Sequence, residues 1–163
     1  MANKIVHAEV VGKDGPALHK FYNGVFGWKQ NTDLPGGYAM TNADDSGIIL
    51  SAPLLPNANY KGTAFGGSLF SVAVLTGWAW VSRYLDATGL AADAVIQEST
   101  IRYLVPVHGT LRATLRLPQP EHVEKFRKML QRAGRGRIRL FVDVHHGQAP
   151  ATEFEGVFAA ALR

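Results

Sequence analysis

The sequence contains no cysteine, which excludes a disulfide scaffold, a thiolate metal site and a cysteine nucleophile. It contains no Asp or Glu between Lys61 and Tyr84, so no side chain of that stretch can serve as a carboxylate base. The opening run MANKIVHAEVVG is too short and too interrupted for a signal peptide. The long apolar stretch near residue 70 is interior and punctuated by glycine. A cytoplasmic protein without a membrane partner is therefore expected. Internal repeats and low-complexity segments are missing, and no Gly-Lys-Ser or Gly-Lys-Thr follows the glycines at 62–67, which excludes a phosphate-binding loop of that pattern.

What is present is the composition of a globular chain: 163 residues, 47% hydrophobic and 18% charged. That is the size of one ordinary domain, able to bury roughly 70% of the surface of its unfolded form. The formal charge of +4 is uneven, since seven of the fifteen positions in KFRKMLQRAGRGRIR (125–139) are Lys or Arg. Such a cluster suits an anionic partner, either the phosphates of coenzyme A or an acidic carrier protein, or it is only a solvated basic helix face. Nucleic acid is disfavoured, because no basic stripe interleaved with aromatics and no helix-turn-helix pattern accompanies it.

Residues 3–11 alternate as a strand, and GPALHKFYNGVFGW sets Leu18, Phe21, Tyr22 and Val25 at helical spacing. After the turn DLPGG come YAMTNADD and GIILSAPL, read as a hairpin through Asp-Asp-Ser-Gly. A helix is predicted from Phe65 to about Leu85. It is apolar on nearly every face and must be buried on most sides, which in a chain this small means wrapped by a sheet. Strands are expected over 94–106 and 110–118. PEHVEKFRKMLQRAG follows as an amphipathic helix, with Pro120 near its start, Glu121 and Glu124 in its first turn and Gly134 at its stop. Two last strands, 137–147 and 152–163, are joined by the turn GQAP. This order is an α+β pattern, an antiparallel sheet curled around one apolar helix.

The residues NANYKGTAFGGSLFSVAVLTGW, with the preceding ILSAPLLPN and the later IRYLVPV, closely resemble the hotdog-fold thioesterase superfamily. In particular they resemble a bacterial group of thioesterase-like domains related to malonyl-acyl carrier protein decarboxylases. The resemblance covers residues 47–163 and implies a hotdog domain there, with a long central apolar helix. Residues 1–46 resemble the opening strand and helix of a glyoxalase, or vicinal-oxygen-chelate, module. They are expected to form a strand-helix segment packed on the main domain. His7 stands where that family has a metal ligand, but one side chain does not make a metal site, and neither metal nor cofactor is expected.

In related hotdog thioesterases a loop asparagine and a backbone N–H at the start of the central helix polarise the thioester. Asn59 and Gly66 fall at those positions, which makes them the expected oxyanion hole. Glycine lets a carbonyl approach bare backbone, and a helix N-terminus offers unpaired N–H groups and partial positive charge. Thr63 and Ser68 are further catalytic candidates, although hydroxyls near a helix start commonly cap it. Tyr60, Phe65, Gly67, Arg102 and Tyr103 are candidate substrate contacts. The competing reading is that Asn57 and Asn59 only turn the chain while Gly66 and Gly67 allow close packing.

Hydrolytic relatives of the Asn-Gly-x-x-His-Gly-Gly kind carry a carboxylate seven residues after the second adjacent glycine. Here Val74 stands at that position and Phe65 at the histidine, so water activation from the helix is excluded. Decarboxylation of a malonyl thioester needs an oxyanion hole and no base. The resemblance thus implies an enzyme of acyl-CoA or acyl carrier protein thioesters, with malonyl decarboxylation preferred. Hydrolysis and non-catalytic acyl-thioester binding are the alternatives, and a homodimer or larger homo-oligomer is implied. His108, His145 and His146 lie in expected turns without a serine partner, and a metal site of the two adjacent histidines with Asp143 is not favoured.

Overall fold

The computed structural model describes residues 48–163. The expected N-terminal strand and helix, His7 and the first strand of the Asp-Asp-Ser-Gly hairpin lie outside the described residues. Five strands and two α-helices follow in the order β1 (Ile49–Ala52), α1 (Gly66–Ala87), β2 (Ala92–Tyr103), β3 (Leu111–Arg116), α2 (Pro120–Ala133), β4 (Arg135–His146) and β5 (Ala149–Leu162). The strands form one sheet, β1-β3-β4-β5-β2, in which every neighbouring pair is antiparallel. Among the described residues β1 and β2 are therefore its edges.

α1 lies across one face of the sheet and contacts all five strands, as its all-round apolar sequence requires. Leu69, Val72, Ala73, Val74, Ala79, Val81 and Leu85 are buried, and Trp78 Nε1 donates to Ala94 O of β2 at 3.0 Å. The inward row of β5 tracks the helix in step. The Phe154 ring meets Phe70 edge-on at 5.9 Å, and Phe158 fills the space left by Gly77, where an added Cβ would lie 2.5 Å from Cζ. β4 alternates strictly, burying Gly136, Ile138, Leu140, Val142 and Val144. α2 closes the end of the sheet where β4 begins, through buried Phe126 and Leu130. It stops at Gly134, whose φ of 66° is the left-handed conformation that glycine adopts at a helix end.

The expected boundaries move in one informative place. The strand expected over 94–106 ends at Tyr103, because Leu104 and Val105 both turn their N–H groups onto Ala151 O, at 2.8 and 3.2 Å. Among the described residues no helix is long and apolar enough to cross a membrane.

Candidate functional site

The loop between β1 and α1 is built around Asn59. Its Oδ1 accepts from the N–H groups of Lys61 (2.8 Å) and Thr63 (3.3 Å), and its Nδ2 donates to Thr63 Oγ1 (2.8 Å) and Ala64 O (3.4 Å). The loop closes on itself through Asn59 N to Thr63 O at 2.7 Å and Gly62 N to Asn59 O at 3.0 Å. This closure needs a left-handed residue at its tip, which Gly62 supplies with φ 75°. Asn57 is a second organiser: its buried Nδ2 donates to Pro53 O at 2.8 Å and its carbonyl accepts from Phe65 N at 2.7 Å.

The loop delivers the chain to α1 without a side-chain cap. The N–H groups of Ser68 and Leu69 bond to Phe65 O, which leaves the N–H groups of Gly66 and Gly67 without a partner among the described residues. Two such donors at the positive end of a 22-residue helix can attract negative charge. Tyr103 reaches this point from β2. Its phenol donates to Gly66 O at 3.0 Å, and burial pushes its pKa up, so it stays a proton donor.

The remaining expected site residues divide clearly. Thr63 Oγ1 is held by Asn59, and Phe65 lays its ring over Gly67, where an added Cβ would come within 2.4 Å. Ser68 is buried, and its hydroxyl makes no hydrogen bond to another described residue. Tyr60 is 93% exposed at the loop tip. Arg102 points to the outer sheet face, where it pairs with Glu153 at 3.1 Å; β2 brings Tyr103 to the helix start and not Arg102. Leu55, Leu104 and Val105 are also exposed, so the mouth of the site carries apolar side chains beside Lys61, whose Nζ lies 5.5 Å from the centre of the Tyr60 ring. Val74 is buried within the core.

The basic segment does not gather at this mouth. Arg127 and Lys128 both pair with Glu124 of their own helix, and the hydrogen bond from Arg127 is the main cause that lowers the Glu124 pKa to about 2. Arg139 pairs with Glu155, and Arg135 lies opposite Ala161 on β5. Ala161 is nine residues from Thr152, the β5 residue opposite Tyr103, or ~30 Å along the strand. In one chain the basic cluster and the helix start thus stand at opposite ends of the sheet. Of the histidines and Asp143, for which no metal site is favoured, Asp143 accepts two hydrogen bonds from the Arg116 guanidinium, and the His108 and His146 ring centres lie 5.8 Å apart with the rings tilted by 59°. Among the described residues no three metal-ligating side chains are gathered.

Sequence reasoning passed over one residue at this end, Thr152. It is fully buried, and its Oγ1 is the one buried side-chain nitrogen or oxygen among the described residues that has no hydrogen-bond partner. Nothing in the sequence marks an orphaned hydroxyl.

A family model described as "Putative thioesterase (yiiD_Cterm)" matches residues 37–162. Among solved structures, a protein of unknown function from Chlorobaculum tepidum has 29% identity, covering 91% of this chain and 94% of its own, with a TM-score of 0.74. A putative thioesterase from Shewanella oneidensis has 27% identity over 77% of this chain and 82% of its own, at a TM-score of 0.65. A Bacillus halodurans protein solved with CoA, at 21% identity, 69% and 66% coverage and a TM-score of 0.52, shares the fold.

Proposed function

We infer, for a chain that belongs to the family described as "Putative thioesterase (yiiD_Cterm)" and has the hotdog fold, that it acts on acyl thioesters at the N-terminus of α1. The observation that carries this reading is the pair of unpartnered N–H groups at Gly66 and Gly67 on an uncapped helix. Oriented donors there stabilise charge that develops on a thioester oxygen. Asn59 supplies a further donor when its Nδ2 exchanges Thr63 Oγ1 for the substrate oxygen.

Within this reading decarboxylation of a malonyl-type thioester ranks ahead of hydrolysis. The C–C bond to the carboxylate breaks and carbon dioxide leaves. The electron pair forms an enolate held at its oxygen by the N–H groups, and the carbon then takes a proton from water to give the acetyl thioester. No base is required, which agrees with a helix whose corresponding position is the buried Val74. Coenzyme A is the carrier chosen for the test, since the Bacillus halodurans neighbour was solved with CoA. Incubation with malonyl-CoA and with butyryl-CoA, followed by chromatography, is expected to yield acetyl-CoA from the first. Free CoA from either substrate, with no acetyl-CoA formed, makes the protein a hydrolase; no product together with tight binding leaves a non-catalytic acyl-thioester binder.

The second copy is proposed from β2. Among the described residues this 12-residue strand is paired on one side only, and such an edge is a template for another strand. Two copies paired antiparallel along β2 would bring the Arg135 end of one sheet beside the Tyr103 end of the other. That places further basic side chains near a mouth that in one chain has Lys61. Light scattering at micromolar concentration is expected to return twice the mass of the chain; a monomer would remove this arrangement.

A further inference from the structure

The orphaned hydroxyl of Thr152 lies at the level of the helix start. Two independent relations place it there. In the sheet register Thr152 stands opposite Tyr103 of β2 and Val144 of β4, and the Tyr103 phenol bonds to Gly66 O. Along β5 the inward row runs Thr152, Phe154, Gly156, Phe158, and Phe154 meets Phe70 of α1. A step of two strand residues back from Phe154 is ~7 Å, and a step of four helix residues back from Phe70 is ~6 Å, which arrives at Gly66.

The same end of the molecule therefore holds four polar groups without a partner among the described residues: the N–H groups of Gly66 and Gly67, the hydroxyl of Ser68 and the hydroxyl of Thr152, the last with its oxygen wholly sealed from solvent. A buried hydroxyl without a partner costs stability, and valine has almost the same shape without that cost. Its neighbours within the sheet are apolar or glycine on the inward side, apart from Tyr103. Within the free chain the hydroxyl has no return. Buried groups left in this condition call for a ligand, a water or a catalytic role as their explanation.

We propose that Thr152 is a specificity-determining residue that hydrogen-bonds the acyl part of the bound thioester and selects acyl groups carrying an oxygen on the carbons beyond the carbonyl over plain alkyl groups. This rests on the reading that acyl thioesters bind at the start of α1. The thioester oxygen takes the two N–H groups, and an acyl oxygen further along reaches the hydroxyl at the sheet. In this proposal the substrate enters past Tyr103, which is half exposed and lies on a strand that, among the described residues, is an edge of the sheet. One hydrogen bond to Gly66 O holds its phenol in place. Displacement of that phenol by the substrate opens the way to Thr152.

The test compares acetoacetyl-CoA with butyryl-CoA, which have the same chain length and differ in the oxygen at the third carbon. Titration calorimetry on the wild type, Thr152→Val and Thr152→Ser is paired with thermal melting. The wild type is expected to bind acetoacetyl-CoA about 10-fold more tightly than butyryl-CoA, the scale of one hydrogen bond. Thr152→Val should abolish that preference while melting at or above the wild-type temperature, and Thr152→Ser should keep it. Two results overturn the proposal alone: an unchanged preference in Thr152→Val, or an equal loss for both ligands with a lowered melting temperature. If the wild type binds neither thioester, this proposal and the reading it rests on fall together.

Discussion

Asn59→Ala will lower thioester turnover by about 10²-fold or more, the scale seen when one oxyanion donor is removed. The structure makes this a demanding variant, because the same side chain makes four hydrogen bonds that shape the loop. Two further variants separate shape from chemistry. Asn59→Asp keeps an acceptor for the N–H groups of Lys61 and Thr63 and removes the donor, so it should fold much as the wild type does and turn over as slowly as Asn59→Ala. Thr63→Val removes the resting acceptor of Nδ2 and leaves that donor available to the substrate, so most of the activity should remain. Steady-state rates with the better of malonyl-CoA and butyryl-CoA decide the matter. Near-normal turnover of Asn59→Ala would take Asn59 out of the mechanism and leave the helix N–H groups alone.

Gly77→Val is expected to be the most damaging single addition of atoms to the core. An added Cβ at Gly77 would lie 2.5 Å from Cζ and 2.7 Å from Cε2 of Phe158, whose ring has no exposed surface into which it can retreat. Overpacking of this kind costs typically 1–3 kcal/mol, against which the gain in helix propensity over glycine is only a few tenths. For a chain of this length such a cost lowers the melting temperature by roughly 3–10 °C. Shortening the opposing ring by Phe158→Leu should be destabilising alone and less so beside Gly77→Val, a coupling that thermal melts of the two singles and the double will reveal. Strict additivity would mean that the helix moves off the sheet instead of pressing on Phe158.

Much of this fold is legible in the sequence because its elements are long and periodic. α1 is apolar all round, and only enclosure by a sheet accounts for that. β4 alternates without a break from Arg135 to Val144. β2 is harder, and the reason is a single irregularity. Ala92, Ala94 and Ile96 face inward, so counting by twos would place Arg102 inward as well. The register shifts between Ile96 and Glu98, and beyond it Ile101 and Tyr103 are the inward residues. Alternation carries no mark of a bulge, so the choice between Arg102 and Tyr103 lay outside its reach. The place of the basic segment was not legible for a related reason: residues contiguous in sequence are divided at Gly134 between a helix and a strand, and Arg127, Lys128 and Arg139 pair with Glu124 and Glu155. Thr152 sits in a predictable inward position, but whether a buried hydroxyl finds a partner is settled only by what surrounds it.

The groups that meet at the start of α1 come from three separate stretches of chain, 57–67, 103–107 and 151–152. They are brought together by strand pairs that close long loops: β1 with β3 and β2 with β5. Such closures are entropically costly and depend on the whole sheet. The site is consequently not portable. A peptide spanning Asn57–Gly67 carries its most recognisable residues and the bonds internal to its loop but not Tyr103, Val107 or Thr152, and grafting that loop onto another helix would transfer a motif without its back wall.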